Sequence, residues 1–324
     1  MATITLAPGL GEVRGLAEFV DARTRTLQMP QRLMLNALGL GIGETFAFFR
    51  SQPDLAAFEA WALAAAGPPD PAEVARYHAW LDGAPNPAAI QARVDAIDAL
   101  PPVLDDADLA HWDAHGYVVI RGAITPAEAA AAADLFWRTS GASLDDPATW
   151  YGVESSGLWV PIFHGAELEA ARRSPRVLKA YAQLWGTADL WLIVDQMSFN
   201  PPVTSGRPFQ GAPLHWDVSL ARPIPFATQG ILYLTDTAAD QGALRVIPGF
   251  HHRIDAWLDA MGDADPRQVD LTAEAVTIPA GAGDLVIWRQ DLPHGASPNS
   301  AQLPRITQYV NMHPADLWSN PEWR

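Results

Sequence analysis

His215-Trp216-Asp217, with a second histidine, His294, far downstream, restricts this chain more than any other feature it carries. For two imidazoles and one carboxylate to act together, the fold must bring positions 215–217 and 294 onto one face. A β-strand does this for the first pair, because residues two apart point to the same side: His215 and Asp217 turn into a barrel while Trp216 turns away. The spacing therefore predicts a strand over Leu214 to Leu220. Two histidines and one carboxylate on one face of a metal leave open coordination positions on the other, the arrangement that suits non-haem Fe(II).

The rest of the chain offers strands to build such a barrel. Tyr117 to Arg121, Leu190 to Phe199, Gly230 to Thr235, Leu244 to Ile247, Ala275 to Ile278, Leu285 to Trp288 and Arg305 to Asn311 are short β-branched or aromatic runs between turn residues. With Leu214 to Leu220 they make eight strands, the number of a jelly roll. Helices at Pro126 to Thr139 and Pro175 to Trp185 interrupt them. Residues 1 to about 100 differ: Leu55 to Ala66 and Pro71 to Leu81 read as amphipathic helices divided by Gly67-Pro68-Pro69-Asp70, with Asp70 and Pro71 as N-cap and first helical residue. Gly83-Ala84-Pro85-Asn86-Pro87 precedes a further Ala-rich helix that stops near Pro101-Pro102. The expectation is an α+β chain: a helical N-terminal region over 1–103, which packs on the barrel or forms a homodimer contact, and a double-stranded β-helix (jelly-roll) domain with flanking helices over 104–324.

Composition excludes several classes. The formal charge of −16, from 37 acidic against 21 basic residues, disfavours nucleic acid and anionic lipid as partners. With 0 cysteines there is no disulfide framework, zinc–thiolate site or cysteine nucleophile. The first ten residues lack a basic n-region, unlike a secretory signal, and no apolar run is long enough to span a bilayer. A cytoplasmic protein acting on a small molecule is the expectation.

Leu104 to Arg121, Gly242-Ala243-Leu244-Arg245-Val246-Ile247-Pro248-Gly249-Phe250-His251 and Gly283-Asp284-Leu285-Val286-Ile287-Trp288, in this order around the HxD and distal histidine, resemble the phytanoyl-CoA dioxygenase family of Fe(II)/2-oxoglutarate enzymes over roughly residues 104 to 313. The resemblance implies that His215, Asp217 and His294 hold Fe(II), that 2-oxoglutarate and O2 are cosubstrates, and that a C–H bond of a small molecule is hydroxylated with release of succinate and CO2. Two alternatives stay open on the same fold. One is a non-catalytic metal- and 2-oxoglutarate-binding or sensory protein; the other keeps the cofactor chemistry but ends in epimerisation, desaturation or cyclisation.

Arg305 stands eleven residues after His294, where the family places the arginine that grips the distal carboxylate of 2-oxoglutarate, and its planar fork suits bidentate capture. Thr307 shares its strand face and offers a hydroxyl. Gln196, Ser198 and Asn200 alternate onto one face of a preceding strand; the resemblance gives the amides of Gln196 and Asn200 a cosubstrate contact. Ala296 departs from the serine many members carry two residues after the distal histidine, with Ser297 or Thr307 as substitutes. Trp288 is read as a cavity wall on the strand of His294, His164 as either a pocket residue or a satisfied core histidine, and His78, His111, His115, His251, His252 and His313 as structural. The Pro/Gly-rich segment 201–213 is a candidate cover, in which Arg207 reads as a solvated arginine or a contact for an acidic substrate.

Overall fold

A computed structural model describes residues 10–24 and 26–324; the stretch through residue 9, read above for a secretory signal, lies outside them. The chain divides into two compact units, one of residues 1–101, 181–195 and 312–315 and one of residues 102–180, 196–311 and 316–324.

The first unit is mainly helical. Leu55–Ala66 is capped by Asp54, whose carboxylate accepts from Ala57 N at 2.8 Å, and Pro71–Leu81 by Asp70, which accepts from Ala72 N at 2.9 Å. Ala88–Asp98 follows the Pro87 break. Leu33, Leu35, Phe58, Val74, Tyr77 and their neighbours form one buried apolar cluster, against which Trp191 also packs. Buried Arg76 pairs with Asp189 and stacks at 4.0 Å over Trp191, so its charge is met from both sides. The unit also carries the short strand Trp191–Ile193.

Eleven strands are present among the described residues: β1 (Tyr117–Ile120), β2 (Trp159–Val160), β3 (Trp191–Ile193), β4 (Met197–Asn200), β5 (Thr228–Tyr233), β6 (Leu244–Val246), β7 (Val276–Ile278), β8 (Leu285–Arg289), β9 (His294–Ala296), β10 (Arg305–Tyr309) and β11 (Asn311–His313). In the second unit a six-stranded antiparallel sheet runs β1-β8-β5-β10-β4-β2 and a three-stranded one β7-β6-β9. Their inner faces share one core in which Ile231, Tyr233, Val286 and Trp288 meet Leu244, Val246 and Ile278. β8 and β10 are buried on both faces, which is why their sequences read as continuous runs, whereas the edge strand β1 alternates. Pro126–Ser140 opens with a Thr125–Glu128 capping box and closes on Gly141 in the left-handed region.

Four sequence expectations need correction. The run 190–199 is two strands, β3 and β4, separated at 194–196, and 305–311 is divided between β10 and β11. Trp288 lies on β8 and not on the strand of His294, because the turn at 290–293 intervenes. Most importantly, 214–220 is not a regular strand: it holds only an isolated bridge between His215 and His294. The physical reason is a contact from far along the chain. The carbonyls of Trp216 and Val218, which a ladder would use, instead accept from the Arg267 guanidinium at 2.8 and 2.7 Å.

Candidate metal centre

That single bridge aligns the site as a full strand would. His215 N donates to His294 O and His294 N to His215 O, both at 3.0 Å, so the two residues oppose each other directly and their rings sit 4.7 Å apart. His294 opens β9 and is held opposite Val246 of β6. Each imidazole is then oriented by its own backbone: Nδ1 of His215 donates to Pro213 O at 2.8 Å and Nδ1 of His294 to Leu292 O at 3.1 Å. A carbonyl can only accept, so Nδ1 of each ring carries a proton and Nε2 is the atom turned to the site. Both Nε2 atoms face Asp217, His215 Nε2 lying 3.4 Å from Oδ1 and His294 Nε2 3.3 Å from Oδ2. One donor atom from each of the three residues fits within 4.8 Å of the others.

Electrostatics agree with a cation-ready site. Burial pushes the Asp217 carboxyl upward, but bonds from His215, His294 and Gln229 outweigh it and hold the group far below the ordinary carboxylate range. The bond to Asp217 is also the largest influence on His215, raising it above the ordinary histidine value against the opposing effect of burial.

Two positioning groups have little signature in the sequence. Gln229 of β5 donates its Nε2 to Asp217 Oδ2 at 2.7 Å, and its own Oε1 is buried without a partner. Its only signal is a lone amide next to an apolar strand, and the apolar run places that strand's start at Gly230, two residues after the observed start at Thr228. Arg267 holds the 216–218 backbone. Trp288 stands opposite Gln229 in register, its ring 5.2 Å from that of His294 and its buried Nε1 unpartnered.

Across the β4–β10 pair a second cluster forms. Arg305 opposes Asn200 and Thr307 opposes Ser198, so all four share one face. Arg305 is 2% exposed; its Nη1 donates to Gly242 O at 2.7 Å and Nη2 to Ser198 Oγ at 3.0 Å, while Nε has no partner. No carboxylate among the described residues pairs with it, and burial lowers it below the ordinary arginine value with only Tyr233 and Tyr309 opposing. Thr307 Oγ1 and Ser297 Oγ are likewise buried and unpartnered. Asn200 spends its Nδ2 on Ser297 O at 3.0 Å. Gly242 (φ 72°) must be glycine: a Cβ there would run into the Asn200 amide. Gln196 is half-buried and sits one residue before β4, its carbonyl accepting from Tyr309 N at 3.2 Å.

The other histidines lie elsewhere. His251 and His252 both donate to Asp113 O, at 3.0 and 2.7 Å, His313 contacts Asn36, and His78 accepts from Arg14 N. Among the described residues, no helix is long and apolar enough to cross a membrane.

Residues 112–307, more than half of the chain, match the family model "Phytanoyl-CoA dioxygenase (PhyH)". A curated protein of Dictyostelium discoideum, named provisionally as a phytanoyl-CoA dioxygenase, is 27% identical over 94 residues, 26% of this chain and 27% of that protein. The chain thus spans about a quarter of the length of that relative. Among solved structures, the non-haem α-ketoglutarate-dependent epimerase SnoN from nogalamycin biosynthesis is 18% identical with a TM-score of 0.47, covering 68% of this chain and 84% of its own. EvdO2 from Micromonospora carbonacea var. aurantiaca, complexed with 2-oxoglutarate, is 18% identical with a TM-score of 0.48 over 69% and 96%. By its match to the family model over residues 112–307 the chain belongs to the phytanoyl-CoA dioxygenase family.

Proposed function

We propose that this chain is an Fe(II)- and 2-oxoglutarate-dependent dioxygenase that hydroxylates a C–H bond of a small organic molecule. The observation that carries the reading is the convergence of two imidazoles, each with Nδ1 tied to a backbone carbonyl, on one carboxylate. His215 and His294 would hold the metal through Nε2 and Asp217 through its carboxylate. That donor set fits ferrous iron and leaves positions for a bidentate 2-oxo acid and dioxygen. Iron and 2-oxoglutarate together supply the oxidising power, with succinate and CO2 as the products of the cosubstrate.

The protein's part is binding and orientation. Arg305 has an unmet positive charge, and the distal carboxylate of 2-oxoglutarate is an anion of matching geometry. The free hydroxyls of Thr307 and Ser297 supply the contact that Ala296 cannot. In this reading Asn200 and Gln196 border the same ligand, and Gln229 keeps the Asp217 carboxylate from rotating. Two antiparallel sheets sharing one core support the double-stranded β-helix architecture.

The test is a metabolite screen with the ferrous-loaded chain under air, reading 2-oxoglutarate consumption and succinate release, then product mass under ¹⁸O₂. A product carrying one labelled oxygen supports hydroxylation. Binding of metal and 2-oxoglutarate without substrate-dependent succinate would indicate a sensory protein, and a product with no added oxygen would indicate epimerisation, desaturation or cyclisation.

A further inference from the structure

We infer that a cavity beside the Arg305 strand pair binds a small, ring-bearing monocarboxylate, the substrate of the reaction proposed above, on which this inference rests. The cavity has a volume of about 320 Å³, enough for a molecule of one or two rings. Trp150, Tyr151, Phe199 and Phe209 line it. The polar ends of the first two are consumed elsewhere: Trp150 Nε1 donates to Ser143 O at 2.7 Å and Tyr151 Oη to Pro202 O at 2.9 Å. Phe199 is stacked on Phe136 with centroids 4.6 Å apart. Three of the rings are therefore held in place, and they stand beside the polar side chains of Ser155, Asn200, Arg207 and Gln210. Flat aromatic faces next to polar groups favour a flat ring that carries a polar substituent.

Charge supplies the second half of the argument. The chain carries 37 acidic against 21 basic residues, yet no aspartate or glutamate lines this cavity. Its one charged lining residue is Arg207, whose guanidinium stands 5.7 Å from the Tyr151 ring and pairs with no carboxylate among the described residues. Reciprocal backbone bonds between Thr204 and Arg207, at 3.0 and 3.1 Å, fix the turn that carries it. A single cation matches a single carboxylate; a ligand with several phosphates would need more.

The cavity also adjoins the strand pair that carries Arg305, while His215, Asp217 and His294 are not among its lining residues. Asn200 lines it and opposes Arg305 in register. The loop that forms its outer wall runs on from Gln210 to Pro213, whose carbonyl orients His215. Gly157 (φ 63°) approaches the carbonyl of Gln210 so closely that a Cβ would lie 3.1 Å from it, which draws the wall shut on that side. His164 is not among the lining residues.

Calorimetric titration of the full chain, without added metal or 2-oxoglutarate, tests the assignment. The probes are benzoate, cinnamate, indole-3-acetate and 2-naphthoate, each beside its uncharged amide. At least one acid should bind saturably and about tenfold more tightly than its amide, the worth of one charge-assisted hydrogen bond. Arg207→Gln should erase that preference while leaving the amide's affinity unchanged, and Phe209→Ala should weaken acid and amide together. Both positions are on a surface loop, and unchanged melting temperatures would show that the variants fold. The inference is overturned if no acid binds, if acids and amides bind alike, if Arg207→Gln keeps the preference, or if 2-oxoglutarate displaces the probe competitively. Because no iron or turnover is involved, failure here leaves the Fe(II)/2-oxoglutarate reading standing. Failure of that reading would appear separately, in metal titration and succinate release.

Discussion

Replacing Arg305 by leucine separates a cosubstrate-binding arginine from a structural one. A guanidinium offers five N–H donors, and Arg305 uses one on Gly242 O and one on Ser198 Oγ. The remaining donors and the whole charge are buried at 2% exposure with no carboxylate nearby. A charge in that state is costly, so its removal should leave the metal-free, ligand-free chain about as stable as wild type, or more so. With 2-oxoglutarate present the order should reverse. Losing a buried, hydrogen-bonded charge pair costs roughly 2–5 kcal/mol, a fall in affinity of about 30-fold to several thousand-fold. At a concentration about 100 times the wild-type dissociation constant, 2-oxoglutarate should stabilise wild type by roughly 2.7 kcal/mol and the variant scarcely at all. Thermal unfolding with and without 2-oxoglutarate, in the presence of Mn(II) or Fe(II) under nitrogen, reads both effects, and a parallel metal titration should show unchanged metal affinity. Equal 2-oxoglutarate stabilisation of wild type and Arg305→Leu would refute the reasoning. A large loss of stability in the ligand-free variant would make Arg305 a structural residue.

Four further outcomes are expected. His215→Ala and His294→Ala should each abolish turnover and lower iron affinity; anaerobic titrations giving wild-type affinity for both would remove the metal assignment. Gln229→Leu should weaken metal binding by about 10- to 100-fold while leaving the fold intact, since it frees the Asp217 carboxylate to rotate; circular dichroism and the same titration check this. Because His215 is raised above the ordinary histidine value, metal must displace a proton there, so affinity should climb as pH rises through that raised pKa, and titrations near about pH 6 and about pH 8.5 should differ. Asp217 is depressed, so its contribution to stability is present above the unfolded carboxylate's pKa and lost only in strong acid; it should stay charged across that window. Gly242→Ala should destabilise the chain and weaken 2-oxoglutarate binding, because the new Cβ must displace the Asn200 amide and shift the carbonyl that receives Arg305; thermal melts and 2-oxoglutarate titration would show a wild-type result if the contact were readily relieved.

The sequence by itself determined what depends on near neighbours. The helices Leu55–Ala66, Pro71–Leu81 and Pro175–Trp185 begin and end at the residues their caps and prolines name, since capping is satisfied within one turn. β1, β6, β7 and β8 fall within about a residue of their apolar runs, and β1, β6 and β8 each bury at least one face. The donor types at His215, Asp217 and His294 were also legible, since chemistry restricts which side chains can hold a divalent cation. Tertiary structure decided the rest. It made 214–220 an irregular segment, because Arg267, about 50 residues away along the chain, takes the carbonyls that a ladder would have used. It broke 190–199 into β3 and β4, which belong to different packing units, and divided 305–311 between β10 and the start of β11. It brought Gln229 against Asp217 and left Arg305 without a counterion, since neither a hydrogen bond between segments distant along the chain nor the want of a partner for a buried charge has any signature in residues close along the chain.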